Sequence, residues 1–221
     1  MADMQAFDDA VKNSGLGGKV QVVESRMLSL LVKHGATGHV CQVGSKTAKP
    51  ANAYRAGCIK ALGGEFVGID IFPGENVDVV ADLCRPEFPA ENPGLIGHFG
   101  AVISSAMLEH VEQPFDAARN IAALLRPGGV LYCAVPWVWG YHAVPDDYWR
   151  FSVAGVKKLF PGLEWIEWIY AGTGGSGFGF KMAPGTEKRA FMVPVTGGLA
   201  GLLSDHGLPN LNIIGVGRRP A

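Results

Sequence analysis

Residues 99–136 read "FGAVISSAMLEHVEQPFDAARNIAALLRPGGVLYCAVP", a strand, a helix and a second strand in succession. "FGAVIS" is an apolar run of strand length. Residues 115–125 carry apolar side chains at helical spacing, and Pro127, Gly128 and Gly129 stop that helix before the apolar run "VLYCAVP". Near-continuous apolar strands separated by helices belong to a parallel sheet covered on both faces, because a strand exposed on one side would alternate.

The same alternation extends outward from this unit. Towards the N-terminus, "VQVVESRMLSLLVKH" (20–34) sets Val23, Met27, Leu30 and Leu31 at helical spacing, which predicts a leading helix over about 20–33. "HVCQV" (39–43), "EFVGID" (65–70) and "VDVVA" (77–81) read as strands, with a helix over 52–62 between the first two. The predicted fold class is α/β: a doubly wound, mostly parallel sheet with helices on both faces. Past Pro136 the pattern changes to "WVWGYHAVPDDYWRF" (137–151), an aromatic, proline-punctuated loop of a length that usually serves a function. A helix over 153–160, a strand "LEWIEWIY" (163–170), a Gly-rich insertion at about 171–187 and a last strand "LNIIGVG" (211–217) follow. No segment repeats, so residues 1–221 are expected to form one domain.

Bulk properties bound the function. At 221 residues, folding buries about 70% of the unfolded surface, enough for a full core without staples. The 19 Lys+Arg balance 20 Asp+Glu, and no basic stripe interleaved with aromatics is present, which argues against nucleic acid as a partner. Cys41, Cys58, Cys84 and Cys133 are scattered, without a CxxC pair or a His at zinc spacing, as expected of reduced thiols. The opening "MADMQAFDDA" lacks a basic, then apolar leader, and no run is long and apolar enough to span a bilayer. A cytoplasmic location without a membrane partner is expected, and a homodimer is left open.

In an open parallel sheet, ligands bind beyond the carboxyl ends of the strands, where the strand order reverses. The residues there are Gly44 after the first run, Asp70 after the second, Asp82 after the third, Ser104 and Ser105 after the fourth, and Trp137 after the fifth. Glycine lets backbone approach a ligand, a carboxylate at the end of the second strand can accept from both hydroxyls of a ribose, and Asp82 can accept from an exocyclic amine. The ordered series favours a nucleoside ligand, although a lone strand-end Asp is more often a turn or cap residue than a ligand.

These residues carry a resemblance. "EFVGIDIFPGENVDVVADL" together with residues 99–137 resembles the core of class I S-adenosylmethionine-dependent methyltransferases, in the group with "LEHV" and "PGG"; "GYHAVPDDYWRFS" (140–152) is similar to the "YH..P.DYWRF" run of one branch. The likeness covers about half the chain. It implies a Rossmann-like methyltransferase fold and S-adenosylmethionine as cofactor, lined by Gly44, Ser45, Asp70, Ile71, Asp82, Leu83 and Ser104. The first loop, "HVCQVGSKTAKP" (39–50), departs from the family pattern: Gln42 stands in the usual acidic position, and Lys46 and Ala48 replace the second and third glycines. A "GS" followed by a basic residue is a variant of some branches, which "VGSK" resembles.

The resemblance also implies methyl transfer to a small-molecule acceptor. A hydroxyl of a sugar or secondary metabolite is expected, because the chain lacks the Asn-Pro-Pro-Tyr or Asp-Pro-Pro-Tyr run of amide and base N-methylation. A hydroxyl needs a base, and His142, Asp146 and His110 are the candidates. Trp137, Tyr141, Asp147, Tyr148 and Arg150 are expected to line the acceptor pocket. The same loop could instead pack as a lid, with Asp146 or Asp147 capping a turn and Arg150 pairing with one of them. Some related O-methyltransferases hold a divalent ion with "E..EH" and a later His. Here Glu109, His110 and His142 match part of that set, but Ala106 stands at the first glutamate, so no required metal is expected. Two other classes remain in view: a Rossmann oxidoreductase, disfavoured because "GSKTAK" lacks G-x-G-x-x-G, and a non-catalytic nucleoside-binding or partner subunit.

Overall fold

The computed structural model describes residues 22–47, 52–142, 145–172, 179–181 and 211–221. In chain order the elements are α1 (Val22–Lys33), β1 (Gly38–Val43), α2 (Asn52–Leu62), β2 (Gly63–Asp70), β3 (Val79–Val80), a short α3 (Phe88–Glu91), β4 (Phe99–Ser105), a 3-10 turn (Leu108–His110), α4 (Pro114–Leu124), β5 (Leu125–Val138), α5 (Val153–Leu159), β6 (Glu164–Gly172), β7 (Gly179–Lys181) and β8 (Leu211–Arg218). All eight strands form one sheet in the order β3-β2-β1-β4-β5-β8-β6-β7. The first five are parallel, while β8 enters antiparallel between β5 and β6, and β7 pairs antiparallel with β6. The order reverses between β1 and β4, which puts the switch point beside the carboxyl ends of these two strands.

The sheet is buried on both faces because each central strand sends alternate apolar residues to opposite sides. Cys41, Val43, Val102, Leu131 and Cys133 join one core with Ile121 and Leu124 of α4 and Val156 of α5. Val40, Ala101, Ile103, Val130 and Tyr132 join the other with Leu31 of α1 and Cys58 of α2. Burial pushes the Cys41 and Cys133 thiols far up, so both are inert, and all four cysteines are free. No helix among the described residues is long and apolar enough to cross a membrane.

Two elements differ from expectation in extent. β3 is only two residues long, because Asp78 is drawn out of the strand: its Oδ2 accepts from Gly68 N (2.7 Å) and Arg55 Nη2 (2.8 Å). The helix predicted over 115–125 ends at Leu124, and β5 starts at once. Leu125 pairs with Phe99 and Val130 with Ala101, so the residues around Pro127, Gly128 and Gly129 form an irregularity within the strand rather than a separate stop. Most of the Gly-rich insertion lies outside the described residues, apart from its contribution to β6 and β7.

The loop after β1 is clamped to the loop after β2. Gly68 on β2 runs under Asn76, where a Cβ would lie 1.9 Å from the Asn76 backbone oxygen and 2.7 Å from Ser45 Oγ. Gly68→Ala is therefore expected to cost about 3 kcal/mol, at the upper end of overpacking penalties. For a chain of this size that is a fall of roughly 6 to 12 °C in Tm, to be read by calorimetry. An unchanged Tm would mean that the two loops do not meet there.

Candidate active site

At the switch point, Gly44 has φ +64° and lies so close to Met107 that a Cβ would sit 2.5 Å from Met107 Cγ. This is the glycine the turn requires. Ser45 N donates to Ile69 O (3.1 Å), and Asn76 Nδ2 donates to Ser45 O (2.9 Å), so the loop leaves β1 in a fixed direction. Asn76 itself has φ +68°, a conformation that Asn tolerates better than most side chains, and sequence reasoning passed over it. The signal was the turn-forming run "FPGEN" (72–76).

The Asp70 carboxylate accepts from Lys46 N (2.9 Å) at Oδ2 and from Phe72 N (3.0 Å) at Oδ1. Lys46, at the place of the family's second glycine, is tied by its backbone N–H to the end of β2. One lone pair on each Asp70 oxygen is used, which leaves the carboxylate oriented and able to accept further. Asp82 Oδ1 accepts from Cys84 N (2.8 Å), an Asx turn that fixes its direction. Ile71, next to Asp70, is 52% exposed, whereas Leu83, next to Asp82, is buried in the core.

Three buried polar atoms near the ends of β1 and β4 have no hydrogen-bond partner: Gln42 Oε1, Ser45 Oγ and Ser104 Oγ. Val43 is in register with Ser104, so they lie on adjoining strands. Each orphan of this kind costs about 1 to 3 kcal/mol unless something bonds it, which fits a place for a polar ligand. The backbone turns sharply just beyond, at Ala106, which has φ +50°.

Past Ala106, the 3-10 turn and the loop 137–151 build a second group of side chains. The loop is sewn onto the turn by backbone: Tyr148 N and Trp149 N donate to Glu109 O (2.8 and 3.3 Å), and Trp149 Nε1 donates to Val111 O (2.8 Å). His110 Nδ1 lies 2.6 Å from Asp146 O, and a carbonyl can only accept, so Nδ1 carries a proton and, in the neutral imidazole, Nε2 holds the lone pair. His142 Nδ1 lies 3.2 Å from both Asp147 Oδ2 and Gly140 O, which fixes the same tautomer. Both Nε2 atoms lie 3.8 Å from Glu109 Oε1. The Glu109 side chain is 1% exposed, and neither of its carboxylate oxygens has a hydrogen-bond partner. Burial raises its carboxyl above the usual range, while its own backbone N–H, too poorly aligned to count as a hydrogen bond, and then the two imidazoles pull it back.

Arg150, expected to meet the acceptor, is instead spent within the loop. Its guanidinium forks onto both oxygens of Asp147, with Nη2 2.7 Å from Oδ2, and its remaining N–H groups donate to the carbonyls of Trp139, Gly140 and Trp149. Those bonds use all five donors. The Asp147 side chain is 1% exposed, and the Arg150 bonds hold its carboxyl well below the ordinary range. Asp146, a candidate base, accepts at Oδ1 from Tyr141 Oη (3.0 Å) and Asp147 N (2.8 Å) while its carbonyl holds His110. Its position is that of an orienting residue. Tyr141 and Tyr148 are exposed, Trp137 is half-buried, and Tyr148 Oη donates to Glu112 Oε1 (3.4 Å).

The comparisons agree with this architecture. The family described as a methyltransferase domain matches residues 25–169. Solved structures share the fold: the 1,6-didemethyltoxoflavin-N1-methyltransferase of Burkholderia thailandensis, with bound 1,6-didemethyltoxoflavin and S-adenosylhomocysteine, is 15% identical (TM-score 0.56; 98% of this chain, 88% of that one). The N-methyltransferase NodS from Bradyrhizobium japonicum WM9, in complex with S-adenosylhomocysteine, is 13% identical (TM-score 0.53; 90% and 86%). A SAM-dependent methyltransferase from Archaeoglobus fulgidus is 13% identical (TM-score 0.54; 94% and 98%). No curated protein sequence matches significantly. The chain belongs to the methyltransferase-domain family and is a class I S-adenosylmethionine-dependent methyltransferase.

Proposed function

We propose that this methyltransferase acts on a hydroxyl of a small molecule, of the sugar or secondary-metabolite class. The observation that carries this reading is the convergence of His110 Nε2, His142 Nε2 and the Glu109 carboxylate a few residues beyond the end of β4. A hydroxyl must lose its proton to become a good nucleophile, whereas a neutral amine attacks with its own lone pair, so a cluster of proton acceptors suits oxygen.

Gly44, Ser45, Asp70, Ile71, Asp82, Leu83 and Ser104 would hold the cofactor. Gly44 would admit the cofactor close to the backbone, the Asp70 oxygens would accept from its ribose hydroxyls, and the unpartnered Ser104 hydroxyl would be free to bond it. When bound, S-adenosylmethionine supplies a sulfonium methyl group for in-line displacement. His142 would take the proton of the acceptor hydroxyl at Nε2, freeing the oxygen to receive the methyl group that the cofactor would supply. The Gly140 carbonyl accepts from His142 Nδ1 and keeps the required tautomer, Asp147 holds the His142 backbone N–H and lies 3.2 Å from Nδ1, and Arg150 fixes Asp147, so Asp147 and Arg150 act as positioning residues. Trp137, Tyr141 and Tyr148 supply aromatic surface for the acceptor, and alignment of donor and acceptor can account for about 7 to 11 kcal/mol of the barrier.

The acceptor atom is open to direct test, since the N-methyltransferases named above share the fold. A panel of hydroxylated small molecules and their amine counterparts, incubated with methyl-labelled cofactor and read by mass spectrometry, is expected to show label on oxygen. Label on amines alone would overturn the hydroxyl reading and keep the methyltransferase.

A further inference from the structure

We propose that Asn76, in the turn between β2 and β3, is a positioning residue for the cofactor, and that Arg55 on α2 is the anchor that orients it. This role rests on the cofactor lying against Gly44, Ser45 and Asp70, as proposed above. Neither Asn76 nor Arg55 stands at the end of a strand, where the ligands of such a sheet are sought.

The turn 72–78 meets the first loop at three successive residues. Asn76 Nδ2 donates to Ser45 O (2.9 Å), Thr47 N donates to Glu75 O (3.3 Å), and the Lys46 stem passes over Gly74, where a Cβ would lie 3.0 Å from Lys46 Cε. The bond from Asn76 is the buried one, since Asn76 is 9% and Ser45 1% exposed. It acts on the same peptide unit as a bond already described. Ser45 O and Lys46 N belong to one planar amide, and Lys46 N donates to Asp70 Oδ2 (2.9 Å). That amide is therefore held at both ends, by Asn76 at the oxygen and by Asp70 at the nitrogen. Releasing the oxygen lets the plane rotate, and rotation takes the N–H away from the carboxylate that is to accept from the ribose. The same plane sets the course of the chain at Ser45, whose buried hydroxyl has no partner within the protein.

The Asn76 amide has one orientation open to it. Ser45 O can only accept, so Nδ2 faces it, and a guanidinium can only donate, so Oδ1 faces Arg55, whose Nη1 lies 3.5 Å away. Arg55 is fixed in turn: Nη2 donates to Phe66 O (3.0 Å) and Asp78 Oδ2 (2.8 Å), and the guanidinium lies 4.8 Å from the centroid of the Phe66 ring. Asp78 Oδ2 also accepts from Gly68 N (2.7 Å). The helix that follows the first loop in the chain thus grips the turn that clamps this loop.

Two substitutions isolate the side chain without forcing the backbone. Asn76→Asp keeps the shape, the tolerance of φ +68° and an acceptor for Arg55, but offers no donor to Ser45 O. Asn76→Gly removes the side chain and accepts the same φ freely. In full-length protein without cofactor, hydrogen exchange read by mass spectrometry is expected to quicken over residues 44–47 in both variants and to stay as in the wild type over β4. Calorimetric titration is expected to show S-adenosylhomocysteine bound about tenfold more weakly by both. Arg55→Met should weaken it about threefold, and should add nothing in the Asn76→Gly background, because residues that act through one link are not additive. Wild-type affinity in either folded Asn76 variant, with only the Tm lowered, makes Asn76 a residue of the fold alone and overturns the proposal. An additive loss in the double variant overturns the part given to Arg55. If Asp70→Ala weakens binding and the Asn76 variants do not, the cofactor site stands and the positioning role falls; if the wild type binds no S-adenosylhomocysteine, both fall.

Discussion

Asp147→Ala is expected to lower turnover by about two orders of magnitude while changing affinity for S-adenosylhomocysteine less than threefold. The carboxylate makes two sets of contacts that meet at the cluster: it accepts from the His142 backbone N–H and lies 3.2 Å from Nδ1, and it is the anion inside the Arg150 fork. Removing the partner that orients a working imidazole typically costs 10- to 100-fold, and more where the tautomer is lost. The substitution also strands a guanidinium that is only 28% exposed, so a stability loss of about 3 kcal/mol is expected, the low end for breaking a buried pair. Arg150→Lys separates the two effects. Lysine keeps the charge but cannot reproduce the fork or the bonds to Trp139 and Gly140, so turnover should fall with the loop geometry while Asp147 stays ionised. Steady-state kinetics beside calorimetric cofactor binding decides the matter. Equal losses in both would make the loop a packing element of the whole fold.

Gly44→Val is expected to weaken cofactor binding by about a hundredfold. A β-branched residue at φ +64° is strained by about 1 to 3 kcal/mol, and its Cβ would press on Met107, 2.5 Å from Cγ. Relief requires either the loop or Met107 to move, and Met107 immediately precedes the turn that carries Glu109 and His110. The lesion should therefore appear first in cofactor affinity and second in turnover, the reverse of Asp147→Ala. A variant that binds cofactor normally would mean that the backbone at Gly44 does not approach it.

Much of the fold could be read in the sequence because its physical determinants are local. The apolar runs of β1, β2, β4 and β5 need both faces covered, which only a parallel sheet between helices supplies, and the residues just past each run then fall at one edge of the sheet. The antiparallel placement of β8 between β5 and β6 was not readable, since direction is set by a connection and not by strand composition. The first loop looked degenerate because its usual signal is glycine. Its described part is held by the Lys46 to Asp70 bond and by Asn76, which no short motif records.

In the acceptor region the residue types were legible and their pairings were not. His110 and His142 could be picked out as chemistry-bearing, yet their tautomers depend on the Asp146 and Gly140 carbonyls, and those are set by how residues 137–151 dock on the turn Leu108–His110. Arg150 read equally well as a substrate anchor or a loop clasp, and only the count of its filled donors separates the two.

The central claim is that the chain binds the nucleoside cofactor beyond the ends of β1, β2 and β4 and carries out chemistry beside it. Calorimetric titration of S-adenosylhomocysteine into the wild-type protein and into Asp70→Ala tests it most directly. The account predicts saturable one-to-one binding by the wild type, weakened in the variant by on the order of 1 to 3 kcal/mol as the ribose hydroxyls lose their acceptor. No binding by the wild type, or the same affinity in a folded Asp70→Ala protein, would contradict it.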